Sequence, residues 1–305
     1  MEILLRVLET ALPVFVTLAL GMLCRARGLL SREGVAALKF VVVNITLPAV
    51  LLMSFATAEY SRESIAIPVI IFLLCCAALI LGRVLQRVFK AKGKLTPYLM
   101  TGFEAGMLGY GLFALLFKSE PTSSFAIVDL GQVLFVFTVY KALLSGKGGI
   151  ASALREALIS PVLWAIVIGL LLGATGLYDR LSPSGVSGVL KSISDFIAAP
   201  TSAIILLTIG YDLVPGEIRW RETAAVVGLR VLIMGVLLGV AALVNRLFLG
   251  GAMHTGAMIL LFILPPPYVL PVFADAEDER ANISSALSVL TLLSILLFAV
   301  MAAVF

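Results

Sequence analysis

The sequence predicts an all-α polytopic membrane protein: ten transmembrane helices, an inverted repeat of five and five, with helices 4 and 9 broken. Three observations predict it. The 305 residues are 61% hydrophobic and only 13% charged, with a mean hydropathy of +1.13. No soluble domain of that size hides so much apolar surface. Apolar runs of about 20 residues, the length that crosses a bilayer, recur along the whole chain. Helix-breaking residues then fall in corresponding runs of the two halves.

The runs span 8–24, 35–57, 65–88, 97–117, 125–144, 157–177, 189–213, 223–247, 254–274 and 283–305. Glu2, Arg6 and Glu9 precede or enter the first run, with no small-residue cleavage site behind it, so it reads as a retained helix rather than a signal peptide. Two repeats follow, 1–145 and 157–305, linked by Ser145-Gly-Lys-Gly-Gly149. Leu38-Lys39 with Pro48 in the first is echoed by Leu190-Lys191 with Pro200 in the second. An odd number of spans per repeat makes the second enter the membrane from the opposite side, an inverted repeat.

The fourth span carries Gly102-Phe-Glu-Ala-Gly106-Met-Leu-Gly109-Tyr-Gly111, and the ninth carries Pro265-Pro266-Pro267 with Pro271. Clustered glycines loosen a helix, and prolines remove its donors and clash with the preceding turn. Freed backbone is tolerated at membrane depth only where it lines a cavity or is buried in protein. Interrupted spans in matching places point to the substrate site of a secondary transporter. Gly102-x-x-x-Gly106 also fits a close helix contact, and crossing helices need both properties.

Lysine and arginine set the expected orientation. Arg25, Arg27, Arg83, Arg87, Lys92, Lys94, Arg219 and Arg280 lie at or beyond the ends of odd-numbered spans, whereas few basic residues lie at the ends of even-numbered ones. The positive-inside rule therefore puts both termini outside a cell membrane. The net charge of +4 is used up by that signal, so no nucleic-acid partner is expected. Cys24, Cys75 and Cys76 lie at or within spans and read as packing residues.

Asn44-Ile-Thr-Leu-Pro48, the Gly-Phe-x-x-Gly-Met-Leu-Gly-x-x-Leu stretch at 102–112 and the serine- and threonine-bearing last span at 285–294 resemble the auxin efflux carrier family. That family includes bacterial malonate and malate permeases and shares its fold with the bile acid/sodium symporters. The resemblance covers essentially the whole chain. It implies a scaffold of spans 1, 2, 6 and 7 and a transport domain of spans 3–5 and 8–10, with spans 4 and 9 crossing at their breaks. It further implies alternating access and a homodimer formed through the scaffold. One departure matters: relatives place asparagine at the span 4 break, where this chain has Glu104. A carboxylate there turns the expectation towards a proton or a cation.

Ionisable groups at membrane depth are functional candidates. Glu104 is expected to be a protonatable or cation-liganding coupling group, or the partner of a buried basic residue. Asp129 and Gln132, three apart on span 5, share a helix face. With Glu104 they would offer oxygen donors to a hard cation, or they hydrogen-bond a neighbouring helix. Arg230, seven residues into span 8, is a candidate counter-ion for a carboxylate substrate, and equally a partner for Glu104 or Asp129 or a side chain that snorkels to the cytoplasmic surface. Gly106, Tyr110, Pro265, Pro266, Pro267 and Tyr268 complete the expected substrate crossover. The acidic run from Asp275 to Glu279 reads as a solvated turn.

These readings describe a secondary active transporter of a small organic anion, a carboxylate or auxin-like acid, driven by protons or sodium. A ligand-sensing receptor or a passive channel on the same fold is the alternative. The single His254 makes no multi-histidine metal centre. Catalytic motifs such as Gly-x-Ser-x-Gly or His-Glu-x-x-His are missing from the sequence, as is a phosphate-binding loop. An enzyme, a resident cofactor and a bound metal are therefore not expected.

Overall fold

A computed structural model describes residues 2–88, 93–144, 155, 158–213, 216, 218–274 and 276–305, with the side chains of 2–7, 221 and 222 excepted. The expected link at 145–149 and Asp275 lie outside the described residues. Among the described residues every regular element is helical. The helices are α1 (Glu2–Ala26), α2 (Arg32–Val41), α3 (Leu47–Ala56), α4 (Arg62–Val88), α5 (Tyr110–Leu116), α6 (Ser123–Phe135) and α7 (Lys141–Leu144). Then come α8 (Pro161–Ala174), α9 (Leu177–Arg180), α10 (Val186–Ala198), α11 (Thr201–Asp212), α12 (Trp220–Phe248), α13 (Thr255–Ile263) and α14 (Glu277–Val304). Wide π-helical turns at Val42–Thr46 and Val136–Tyr140 run directly into α3 and α7.

Eight stretches among the described residues are helical, apolar and long enough to cross a membrane. Two of the ten expected spans fall short of that mark, for local reasons. Helix α8 has 14 residues, about 21 Å at the α-helical rise. It starts with Pro161 at its first position, behind Ser160 in extended conformation, and ends before Gly176 in the left-handed region. The ninth expected span is cut by its prolines into α13, of 9 residues, and a short 3₁₀ turn at Leu270–Phe273. The last helix starts earlier than expected, at Glu277. Glu277, Asp278 and Glu279 occupy its first turn, where the helix dipole favours carboxylates. Glu277, Asp278 and Glu279 of the acidic run are thus helix N-terminus rather than turn.

The chain packs as two units, each drawn from both halves of the sequence: Met1–Ile65, Gly106–Ile127 and Glu156–Leu213; and Ala66–Ala105, Val128–Arg155 and Val214–Phe305. In the first unit α1 lies against α11 and α3 against α8. A Cβ on Gly21 would sit 2.1 Å from the Leu207 carbonyl oxygen, and one on Gly210 would sit 2.1 Å from that of Leu18. Backbone therefore touches backbone there, the close approach that small residues permit between membrane helices. Arg25 donates to the Tyr211 carbonyl at 3.2 Å, and Lys39 pairs with Asp212. Asn44 donates back to the Phe40 carbonyl at 2.9 Å, and Asp195 accepts from Lys191 one turn away.

In the second unit α12 packs against α13, α14 and the 3₁₀ turn Thr96–Met100. Helices α4, α12 and α14 expose rows of large apolar side chains, among them Val69, Leu73, Val236, Leu243, Leu296 and Val300. Water would not tolerate so many exposed apolar rows; hydrocarbon does.

Candidate functional site

The second unit brings the two interrupted stretches together. The first is irregular at Thr101–Glu104, between the 3₁₀ turn and a π-helical turn at Ala105–Gly109 that leads into α5. The break therefore takes in Glu104, where the resemblance puts it, and precedes Gly106. Gly102 makes it: its φ is +67°, and a Cβ there would meet the Pro267 ring at 3.1 Å. Only glycine supplies both the left-handed backbone and the clearance. The second interruption starts at Leu264, whose ψ of 150° is the extended conformation that a following proline imposes. Pro265, Pro266 and Pro267 are all buried.

Every buried carbonyl freed by a break needs a donor. On the first stretch, Tyr98 O accepts from the Tyr140 hydroxyl at 3.3 Å, and Phe103 O accepts from the Gln132 amide at 2.8 Å. On the second, Ile263 O accepts from Ser294 at 2.5 Å, and Pro265 O from the Glu104 backbone amide at 2.8 Å. Arg230 serves both. Its Nη1 donates to Leu99 O at 2.7 Å and to Thr101 O at 3.5 Å. Its Nη2 donates to Gly102 O at 2.8 Å and to Leu264 O at 2.9 Å. The guanidinium, 2% exposed, also lies 5.7 Å from the centre of the Phe103 ring. A bidentate contact with a carboxylate substrate would have to displace those bonds.

The Glu104 carboxylate points the same way as its amide. Its Oε2 accepts from the Tyr268 backbone amide at 2.6 Å, the first donor after the three prolines. Glu104 as a whole residue is half-buried. The Tyr268 hydroxyl shares a hydrogen bond of 2.9 Å with Thr291, whose own oxygen lies 2.7 Å from Leu287 O. Asp129 and Gln132 meet as their spacing implies, the Gln132 amide donating to the Asp129 carboxylate at 3.3 Å. Both are buried, and the Gln132 Oε1 has no hydrogen-bond partner among the described residues.

Of the expected crossover residues, Glu104, Arg230, Pro265, Pro266, Pro267 and Tyr268 thus lie on the two interrupted stretches or bond to them, with Asp129 and Gln132 joined through Phe103. Gly106 and Tyr110 belong to the first unit. There Gly106 faces Leu47, and the Tyr110 ring meets Phe125 edge-on at 4.9 Å. Tyr110 also lines a cavity of about 590 Å³ with Ser202, Lys191 and Asp195. Thr101, Phe103, Thr291 and Ser294 were given no site role from the sequence, although the last three lie in the stretches that carry the resemblance. Thr291 and Ser294 carry a legible signal, hydroxyls three apart within the apolar part of the last helix, hence on one face.

A second cavity, about 710 Å³, lies in the second unit between Lys94, the start of α12 and the start of α14. Arg219 there donates to Asn282 at 3.2 Å and pairs with Asp278 at 3.4 Å, while Glu279 accepts from the Leu95 amide at 2.9 Å. No group of three or more histidine, cysteine or carboxylate side chains able to hold a metal occurs among the described residues.

No family model matches the chain. It is similar, at 27% identity over 300 residues covering 94% of each chain, to a protein of Methanothermobacter thermautotrophicus named "Uncharacterized transporter".

Proposed function

We propose that this chain is a secondary active transporter that moves a small organic anion, a carboxylate or auxin-like acid, through the broken stretches around Glu104 and Tyr268. The carrying observation is the reciprocal pairing of those stretches: Glu104 gives its amide to Pro265 and takes that of Tyr268 on its carboxylate. A carboxyl on a half-buried residue, bonded to the opposite stretch, can couple its own occupancy by a proton or cation to the geometry of the break. Similarity along nearly the whole length to a protein named as a transporter supports the same reading.

The finer proposal follows the auxin efflux carrier resemblance. It counts ten spans in an inverted repeat by adding α8 and the interrupted 254–274 stretch to the eight long helices. Spans 1, 2, 6 and 7 form a scaffold through which two copies pair, and spans 3–5 and 8–10 form the transport domain. Both termini face outward from the cell membrane. Coupling falls to Glu104, with Asp129 and Gln132 beside it.

The test is reconstitution in liposomes and solid-supported-membrane currents over a panel of mono- and dicarboxylates, with and without sodium, at about pH 6 and about pH 8. A saturable current that follows one cation supports coupled transport. Flux that ignores the gradient and does not saturate identifies a channel, and ligand binding without flux identifies a receptor.

A further inference from the structure

Carriers with broken helices coordinate their coupling cation on unwound carbonyls and half-helix C-terminal ends. In this chain those oxygens are already served by a positive charge. The Arg230 guanidinium comes from the middle of α12 and spans both breaks, reaching Leu99, Thr101 and Gly102 on one and Leu264 on the other. Three further carbonyls of the two stretches have other donors: Phe103 has Gln132, Pro265 has the Glu104 amide and Ile263 has Ser294. A hard cation needs about six oxygens, with backbone carbonyls among its usual ligands. Arginine suits the seat, because its planar fork directs several donors at fixed angles and it stays charged when buried.

We propose that Arg230 is a tethered cation occupying the carbonyl seat of a coupling ion, which makes the carrier indifferent to sodium and leaves proton exchange at Glu104 as its coupling reaction. The side chain is a positioning residue: it holds the two breaks in register and fixes one positive charge between them. This assignment rests on the transporter reading above and narrows it. It also places Arg230 away from direct substrate contact.

The test uses the full chain purified in detergent and, in parallel, reconstituted. Thermal unfolding midpoints are compared for wild type and Arg230→Ala in sodium, potassium and choline chloride at constant ionic strength, with and without millimolar guanidinium. The expected wild-type midpoint is the same in all three salts. Arg230→Ala should unfold at lower temperature and recover part of the loss with guanidinium or a small metal cation, but not with choline. Wild-type flux should survive replacement of sodium by choline. If Arg230→Ala does not fold, Arg230→Lys carries the test, since an ammonium keeps the charge; it should fold with a lowered midpoint and stay sodium-indifferent. A sodium requirement in wild-type flux, selective sodium stabilisation of the wild type or of Arg230→Lys, or an Arg230→Ala midpoint that no small cation raises would overturn the assignment. Absence of all flux from folded wild type counts against the transporter reading alone, and the midpoint series still judges the seat.

Discussion

The Tyr268 backbone amide donates to the Glu104 carboxylate at 2.6 Å, while the Glu104 amide donates to Pro265 at 2.8 Å. Two chain segments that prolines and glycines have stripped of helical bonds thus bond to each other. Pro265, Pro266 and Pro267 supply no donors, so Tyr268 is the first amide available, and a side chain on the other segment takes it. Hydrogen bonds to a charged acceptor contribute about 1.5–3 kcal/mol. A change in the charge of Glu104 is therefore felt directly at the second break, with no intervening residue.

Gly102 should not tolerate a side chain. Alanine at φ +67°, with a Cβ 3.1 Å from the Pro267 ring, combines backbone strain with a clash. Gly102→Ala should lose about 1–3 kcal/mol of stability, read as a lower unfolding midpoint in detergent, and should lower flux as well. An unchanged midpoint would mean that the two breaks are not packed as described.

Helix approach in the first unit gives a contrast between two glycines. Gly210→Ala drives a Cβ into the Leu18 carbonyl and should cost about 1–3 kcal/mol as α1 and α11 separate. Gly239, exposed in mid-α12, has nothing within 4 Å of an added Cβ. Gly239→Ala should raise stability by up to about 1 kcal/mol through helix propensity alone. Midpoints of both variants, measured side by side, check the pair.

Ser294 gives its hydroxyl to the carbonyl of Ile263, the last residue of α13, and lies close enough to Leu290 O for a second bond. Ser294→Ala should destabilise by about 0.6 kcal/mol, the average found for hydrogen bonds between membrane helices, and by no more than about 1.7. Ser294→Thr keeps the hydroxyl and should restore most of that loss. Equal midpoints for alanine and threonine would remove the hydroxyl from the account.

Much of this cluster was legible from residue chemistry. Three prolines in the ninth apolar run and clustered glycines in the fourth predict interruptions, because proline and glycine act on their own backbone whatever surrounds them. Asp129 and Gln132 were legible by spacing. The position of the first break was not. Four glycines offered several places to bend, and the choice of Gly102 over Gly106 depends on where the Pro267 ring arrives. The Arg230 bonds were also hidden. Its acceptors are main-chain oxygens, which every residue possesses, so composition points to carboxylates instead. The length of α8 followed from a proline start and a left-handed Gly176, and a hydropathy run smooths over both.

The most direct measurement compares wild type with Glu104→Gln in reconstituted transport at about pH 6 and about pH 8. Glutamine keeps an oxygen for the Tyr268 amide but holds no exchangeable charge, so the variant should fold. The account predicts that it loses pH-dependent, gradient-driven accumulation while still binding substrate, with a rate at least about tenfold below wild type. A Glu104→Gln protein that accumulates substrate at the wild-type rate, with the wild-type pH dependence, would contradict it.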